Sequence, residues 1–324
     1  MKGFATRIVL SMVFALAGPV CAESADARAM LNQMSAAIRS LDYQGSFAYQ
    51  HAGRVDTLRV FHAGGAVERE RLISLNGPRS EVIRNGRNVT CIQPDGSATV
   101  YVNGSGRGLL PLVPDASSRP LGDQYDVSIS GSDRVAGYLA DIVDVTPRDA
   151  FRYGYRLWLD QGTRLLLRST VLDSEKRVLE QFMFVSLEIG KLPDETELVP
   201  GQRELKTTAA AASDEAELRG ASEWRVNKPP TGFALVSARR SGLAEKPTEH
   251  LVYSDGLASV SIYIEPRNEN AADMTTMAGR GTLNIYTYTE GDLRYTVLGD
   301  VPVATVTAMA RSIGRNTQPR AESR

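Results

Sequence analysis

The sequence has very few of the residues that build metal centres. It contains three histidines, His51, His62 and His250, and two cysteines, Cys21 and Cys91, in 324 residues. None of the histidines has a second ligand at the spacing typical of a zinc site. Two of them, at positions 51 and 62, could face each other across a hairpin, but two imidazoles alone make a poor site. The sequence therefore predicts no metal site and no cofactor.

The motifs of common catalytic sites are also missing. Gly104-Ser105-Gly106 lies in a stretch rich in Gly, Pro and Ser, without the strand-to-helix setting of a nucleophile elbow. The glycines around it have the wrong spacing for a phosphate-binding loop, and no Lys-Ser/Thr follows. Glu68 and Glu70 alternate with arginines on a strand, which is typical of a solvated, salt-bridged face. We therefore expect a binding protein without catalytic residues.

Neither charge nor long apolar runs stand out. Lys and Arg number 37 and Asp and Glu 38, so the formal net charge is −1. This balance is too even for a nucleic-acid partner, which requires a strongly basic face. A membrane helix needs roughly 20 consecutive apolar residues, and no segment after the first residues is that long and apolar. The sequence thus predicts neither nucleic-acid binding nor a membrane span.

The first residues have the pattern of an export signal. A positively charged start precedes an apolar run over residues 8–17, and a small residue, Ala22, ends the segment. This pattern predicts a signal peptide at residues 1–22, removed after export. Lipidation at Cys21 is disfavoured because Val20 precedes it, where a lipoprotein signal has Gly, Ala or Ser. Loss of the signal leaves Cys91 unpaired, so no intramolecular disulfide is expected.

Helical and strand periods alternate along the chain. Residues 25–41 carry apolar side chains at spacings of three and four, which predicts an opening helix. From residue 43 the period changes to two, and strands are separated by turn signals such as Asn76-Gly77-Pro78 and Asn85-Gly86. Such a series is typical of an antiparallel meander. A stretch rich in Gly, Pro and Ser, residues 103–124, interrupts it. A second helix is predicted at residues 303–313.

Length and composition divide the chain into two domains. About 300 mature residues exceed what one small core usually holds. A segment with Pro193 and Pro200 is followed by the run TTAAAAS at residues 207–213. These stretches contain few large apolar side chains that a core could bury, which is typical of a linker. The predicted boundaries are residues 1–22 for the signal peptide, 23–192 for a large domain, 193–222 for the linker, 223–315 for a small domain and 316–324 for a disordered tail.

The large domain offers one candidate binding surface. An antiparallel sheet with one apolar face must cover that face with a helix or a ligand. The candidates for an apolar, lipid-binding lining are Phe47, Tyr49, Leu58, Val60, Leu157, Leu159, Phe182 and Phe184. The alternative is that the opening helix and the 103–124 loop fill the same space.

Four stretches carry a resemblance to a known family. They are YQGSFAY (residues 43–49), ERERLISLNGPRSEVIRNG (68–86), the block from RVAGYLADIVDVTPRDAFRYGYRLWLD to LEQFMF (134–184), and LVYSDGLASVSIYIE (251–265). In this order they resemble the RseB/MucB family of periplasmic sigma-E regulators over nearly the whole mature chain. The PRDAFRYGYRLWLD stretch is especially specific.

The resemblance implies a fold and a function. The implied fold class is α+β and mostly antiparallel β: an unclosed β-barrel with helices, similar to the lipoprotein carriers LolA and LolB, followed by a smaller α/β domain. The implied function is negative regulation of the envelope stress response in the periplasm. The protein would bind the periplasmic domain of a RseA/MucA-type anti-sigma factor, shield it from site-1 proteolysis, and release it when lipopolysaccharide or another lipid binds.

The partner-binding residues are expected in the small domain, where charges and aromatic rings cluster. The candidates are Arg239, Arg240, Tyr253, Tyr263 and Glu265; an ordinary strand surface is the alternative. A second possible function is a periplasmic lipid or lipoprotein carrier, although a carrier of that type has one domain and leaves the chain from Trp224 onward without a role. A monomer, a homodimer and a higher oligomer all remain open.

Overall fold

The described chain forms two large β-sheets, each with one α-helix packed on it, and a separate pair of short strands. The computed structural model describes residues 20–101, 109–110, 121–201, 206–209, 216–217, 222–241, 247–267 and 275–316, with side chains described except at 20–25, 206–209 and 216–217. Nearly all strand pairs are antiparallel. The predicted α+β class, mostly antiparallel with a large and a smaller unit, is confirmed.

The larger sheet takes up the first part of the chain. Its helix and strands are α1 (Val20–Ser40), β1 (Tyr43–His51), β2 (Arg54–Ala63), β3 (Arg69–Ser74), β4 (Glu81–Asn85), β5 (Asn88–Ile92), β6 (Ser97–Tyr101), β7 (Tyr125–Val135), β8 (Tyr138–Pro147), β9 (Gly154–Asp160), β10 (Leu166–Leu172), β11 (Val178–Ile189) and β12 (Lys206–Ala209). A short 3-10 helix, Glu195–Glu197, lies between the last two strands.

This sheet is an unclosed barrel wrapped around α1. Its strand order is β12-β6-β5-β4-β3-β2-β1-β11-β10-β9-β8-β7, and the pair β12–β6 is parallel. Within the described residues, β12 and β7 each have one neighbour, so the two edges do not meet. The first strand pairs with the eleventh, which brings the two halves of the meander together at the middle of the sheet.

Two of the predicted turns contain a glycine whose backbone has positive φ. Gly86 has φ +57 between β4 and β5, and Gly77 has φ +70 between β3 and β4. Glycine adopts positive φ without steric cost, which is why the Asn-Gly dipeptides indicated these hairpins correctly.

The smaller sheet follows with its own helix. Its elements are β13 (Ala216–Glu217), β14 (Trp224–Val226), β15 (Ala234–Ser241), β16 (Thr248–Ser254), β17 (Ser259–Pro266), β18 (Thr276–Arg280), β19 (Leu283–Glu290), β20 (Leu293–Asp300), α2 (Val303–Ala310) and β21 (Ile313–Arg315). Seven strands are ordered β13-β15-β16-β17-β20-β19-β18, while β14 and β21 pair separately. The core of this unit lies between the sheet and α2, around Val260, Ile262, Val306 and Met309.

Some element boundaries differ from the predictions. The opening helix begins at Val20 rather than residue 25 and ends at Ser40. The closing helix ends at Ala310 rather than 313, because Ile313–Arg315 is extended and pairs with β14. The segment expected as a linker, residues 193–222, contributes one strand to each sheet. The signal peptide up to residue 19, most of the 103–124 loop and residues 317–324 lie outside the described residues.

Candidate lipid chamber and domain joint

The apolar inner face of the large sheet is a densely packed core. Six of the eight candidate lining residues are 0 or 1% exposed, and the other two, Tyr49 and Leu58, are half-buried and pack against the same cluster. The ring centroids of Phe47 and Phe182 are 4.9 Å apart, and those of Phe182 and Phe184 are 5.1 Å apart, both edge to face. The strands therefore bring the predicted residues onto one face.

Helix α1 covers this face. Leu31, Met34 and Ile38 are buried in the same cluster as the candidate residues. Arg28 fixes the helix to the edge of the sheet, donating hydrogen bonds of 2.8 Å to the carbonyl oxygens of Leu121 and Tyr125. In this conformation the opening helix occupies the space considered for a ligand, so an acyl chain would reach the inner face only where α1 moves.

The C-terminal end of α1 is held by a buried polar cluster. His62 is fully buried and stacks on Tyr43, with ring centroids 4.5 Å apart. Its Nδ1 lies 2.7 Å from the carbonyl oxygen of Leu41, and its Nε2 lies 3.3 Å from Oε1 of Glu68. His51 is near the turn of the same hairpin and bonds to Asp56, so the two histidines do not face each other.

The expectation of a solvated acidic face on β3 is wrong for Glu70. Its side chain is 1% exposed, and one oxygen accepts a hydrogen bond of 2.9 Å from the backbone amide of Leu109. Burial raises the pKa of this carboxyl, against the opposing influence of His62. The neighbouring Arg84 is equally buried, and its Nε lies 4.0 Å from Glu70. The sequence showed only the alternation of charges, which is the same for exposed and buried pairs.

The two sheets are joined by a buried ion pair. Arg152 follows β8, Asp255 lies in the turn after β16, and their Nε and Oδ2 atoms are 2.5 Å apart with both side chains 0% exposed. The Tyr125 hydroxyl donates to the same carboxylate at 3.0 Å. Burial, and secondarily Asp255, raise the pKa of Tyr125, so this hydroxyl remains a donor. Arg152 also bonds to Asp149 and to the carbonyl oxygen of Thr231.

Further contacts surround this pair on both sides. The side chain of Leu257, from the small unit, is buried in the core of the large sheet. The Thr305 hydroxyl, in α2, donates to the carbonyl oxygen of Phe151 at 2.6 Å. The Asn284 amide donates to the Tyr153 hydroxyl at 3.0 Å. The small unit therefore contacts the large sheet through an interface that is largely polar and buried, which we call the joint.

The five partner candidates divide between the two faces of the small sheet. Register places Arg239 opposite His250, and His250 opposite Tyr263, whose ring stacks on the imidazole with centroids 4.2 Å apart. Glu265 is on the same face, 3.4 Å from Arg294. This face lies opposite α2 and is half exposed.

The remaining two candidates point to the α2 side. Tyr253 is 4% exposed, and its hydroxyl accepts a hydrogen bond of 2.8 Å from the backbone amide of Val226. Arg240 forms ion pairs with Glu249 and Glu223, the latter at 3.3 Å. Tyr253 and Arg240 therefore make contacts within the small unit. The other three candidates, Arg239, Tyr263 and Glu265, lie together on the half-exposed face.

Within the described ranges, no group of three His, Cys, Asp or Glu side chains is placed to hold a metal ion. Across the same residues, no helix has the length and apolar character needed to cross a membrane. Cys91 is half-buried, and burial raises the pKa of its thiol, which keeps it in the less reactive protonated form.

The chain matches two family profiles that together span most of its length. The MucB/RseB N-terminal domain matches residues 26–207, and the MucB/RseB C-terminal domain matches residues 219–314. The chain belongs to the MucB/RseB family. The resemblance found in the sequence is confirmed.

Named relatives of this MucB/RseB chain cover nearly all of it. The sigma factor AlgU regulatory protein MucB of Pseudomonas aeruginosa is 34% identical over 95% of this chain and 97% of its own length. The sigma-E factor regulatory protein RseB of Escherichia coli K12 is 28% identical over 88% of this chain and 89% of its own length. A crystal structure of MucB in complex with MucA(peri) matches 90% of this chain and 100% of that chain, at 32% identity and a TM-score of 0.69.

The joint was missed by sequence reasoning. Arg152 and Asp255 are 103 residues apart, and no local pattern connects them. The sequence did contain one indication of the joint, at Glu180. This residue is two positions before Phe182 and four before Phe184 on β11, so its side chain had to lie on the same apolar inner face. In the MucB/RseB chain this acidic residue ends the apolar row at the joint.

Proposed function

We propose that the chain is a negative regulator of a sigma-E-type envelope stress response. In this proposal it binds the periplasmic domain of a RseA/MucA-type anti-sigma factor and shields it from site-1 proteolysis. Lipopolysaccharide or another lipid then binds and ends the protection. The observation that carries the proposal is the match, through both sheets, to a MucB solved with MucA(peri).

The proposal places the protein in the periplasm. The export signal expected at residues 1–22 supports this location, with cleavage after Ala22. The proposed organisation of the mature chain is a large lipid-sensing domain at 23–192, a linker at 193–222 and a small domain at 223–315. The role is one of binding, without catalysis.

Lipid binding is proposed at the inner face of the large sheet, in the space that α1 fills, which we call the lipid chamber. Its aromatic and aliphatic side chains, now covered by α1, suit acyl chains, since each buried methylene contributes about 0.8 kcal/mol. Arg239, Tyr263 and Glu265 on the half-exposed face of the small sheet are proposed as partner contacts. The buried joint disfavours a simple carrier, because a second unit fixed by a buried ion pair and hydrogen bonds has no role in ferrying cargo.

The test combines binding with protection. The mature protein is mixed with the periplasmic domain of the anti-sigma factor from the same genome, and affinity is measured with and without lipid A. Site-1 cleavage of that domain is followed in parallel. We expect binding and protection without lipid, and loss of both with lipid. Binding of outer-membrane lipoproteins instead of the anti-sigma domain would favour the carrier function.

A further inference from the structure

Glu180 stands where the inner face of the large sheet meets the small sheet. It lies on β11 in the same row as Phe182 and Phe184, and its side chain is 4% exposed. Across the strands it faces Val171 on one side and His51 on the other. An apolar row of the proposed lipid chamber therefore ends in a buried carboxylate.

The two oxygens of this carboxylate are bonded to different sheets. Oε2 accepts a hydrogen bond of 2.6 Å from the hydroxyl of Tyr49, which belongs to the large sheet and packs against its core. Oε1 accepts a hydrogen bond of 2.7 Å from the backbone amide of Thr282, in the turn between β18 and β19 of the small sheet. Burial, then the hydrogen bond to Glu180, raise the pKa of Tyr49, so its hydroxyl always donates.

The turn of the small sheet is shaped for this contact. A Cβ added at Gly281 would lie 1.8 Å from Oε1 of Glu180, and the residue has φ +64. Only glycine lets the backbone come this close, and only glycine adopts this conformation without strain. The Thr282 hydroxyl lies 2.9 Å from an oxygen of Asp300 and 3.3 Å from Oε1 of Glu180, so the turn presents a second donor to the same carboxylate.

The Glu180 side chain is held by hydrogen-bond donors from both sheets. Among the described residues no cation forms an ion pair with it, so hydrogen bonds alone compensate the buried carboxylate. A buried charged acceptor that loses one donor is strongly destabilised, and its remaining contacts change with it. Movement of Tyr49 is therefore transmitted to Thr282 through one side chain.

We propose that Glu180 is the positioning residue that couples occupancy of the lipid chamber to the placement of the small domain. A lipid that displaces Tyr49 removes one donor from Glu180, weakens the contact with Thr282 and releases the small sheet from its present position. This inference rests on the proposed function, since it assumes that lipid and partner binding oppose each other. It adds the residue through which they do so.

The first test needs neither lipid nor partner. Tyr49→Phe in the full mature protein removes only the hydroxyl, and we expect faster hydrogen exchange at the Thr282 backbone amide. Tyr138→Phe is the matched control, because its hydroxyl bonds to the Leu187 carbonyl oxygen away from the joint. Unchanged exchange at Thr282 in Tyr49→Phe would overturn the inference, whatever the protein binds.

The second test measures coupling directly. Affinity for the periplasmic anti-sigma domain is compared with and without lipid A for the wild type and for Glu180→Gln and Glu188→Gln. If lipid weakens wild-type binding by about tenfold, within the usual range of coupling, we expect less than about threefold in Glu180→Gln. Glu188, exposed on the same strand, should leave the effect as in the wild type.

The two tests distinguish a failure of the proposed function from a failure of the role assigned to Glu180. No lipid effect in the wild type would contradict the proposed release mechanism, while the exchange experiment would still decide whether Tyr49 and Thr282 are coupled. A full lipid effect in a folded Glu180→Gln protein would overturn the role of Glu180 and leave the proposed function intact. Thermal unfolding of each variant identifies a protein that has simply lost its fold.

Discussion

At the scale of single residues, the stability of the joint depends on buried polar groups whose partners belong to the opposite unit. The contrast between the pair Arg152–Asp255 and the surface pair Arg156–Asp144 makes this clear, because the distances are similar, 2.5 and 2.7 Å, while Arg156 is 47% exposed. A pair in water is worth little, whereas removing one partner of a buried pair leaves an uncompensated charge.

We therefore expect Arg152→Gln to lower the free energy of unfolding by about 3–5 kcal/mol, as for other broken buried pairs. Arg156→Gln should lower it by less than about 1 kcal/mol. Urea denaturation of the two variants measures both values. Equal effects would mean that Arg152 is more accessible to water than its geometry indicates.

Glu70 predicts a pH dependence with a definite sign. Burial raises the pKa of its carboxyl in the folded state, so the folded protein holds more protons than the unfolded one between the two pKa values. Its contribution to stability is therefore lost as pH rises through that window. The free energy of unfolding of the wild type, relative to Glu70→Gln, should fall as pH rises above about 4.3, the ordinary pKa of the unfolded carboxyl.

Glu195 gives the opposite case as a control. A hydrogen bond from Arg69 lowers the pKa of this exposed carboxyl. Relative to Glu195→Gln, the wild type should gain stability as pH rises. Urea denaturation at a series of pH values measures both slopes, and equal signs for the two residues would contradict the assignment.

At the scale of helices and strands, α1 is the element that decides access to the inner face. Its buried stripe is formed by Leu31, Met34 and Ile38, while Gln33 is exposed. Helix α1 lies between the apolar lining and a ligand that would reach it, and Leu110 and Leu257 pack into the same cluster. A cavity made under it should therefore affect both stability and binding.

We expect Leu31→Ala to lower the free energy of unfolding by about 2–5 kcal/mol, the usual range for a buried leucine. The same variant should bind an environment-sensitive acyl probe more tightly, since its helix packs less well on the lining. Gln33→Ala is the matched control and should change neither quantity. Lower stability without tighter probe binding in Leu31→Ala would argue against the inner face as the lipid site.

The elements also show what the sequence could predict. Periodicity located the helices and the main strands, because burial on one face leaves a period of two or 3.6. It missed β18, whose five residues are all exposed and carry no alternation. It also could not decide between helix and ligand as the cover of the inner face, since both demand the same apolar lining. The partner of a buried charge 103 residues away leaves no local trace.

At the scale of the whole molecule, the relative placement of the two sheets depends on a few close backbone approaches. Gly281 and Gly291 both have positive φ, +64 and +60. A Cβ at Gly281 would meet Glu180, whereas nothing lies within 4 Å of one at Gly291. Substitution at Gly291 therefore tests the effect of backbone conformation alone, whereas substitution at Gly281 adds the effect of crowding at the joint.

Alanine at these positions should have different effects on shape. Gly281→Ala should change the small-angle scattering profile of the mature protein, because the β18–β19 turn must move away from the large sheet. Gly291→Ala should destabilise its own turn by about 1 kcal/mol or slightly more and leave the profile unchanged. Identical profiles for both variants would show that the joint yields by side-chain movement alone.

The chain that connects the two units also affects how separate copies of the protein can meet. Lys206–Ala209 lies along β6 in parallel, and Ala216–Glu217 lies along β15, so the connecting chain occupies an outer strand position on each sheet. Unpaired outer strands recruit strands from other molecules and start aggregates. With four and two residues, these outer strands offer a neighbouring copy few unpaired backbone groups, which disfavours edge-to-edge association at these two edges.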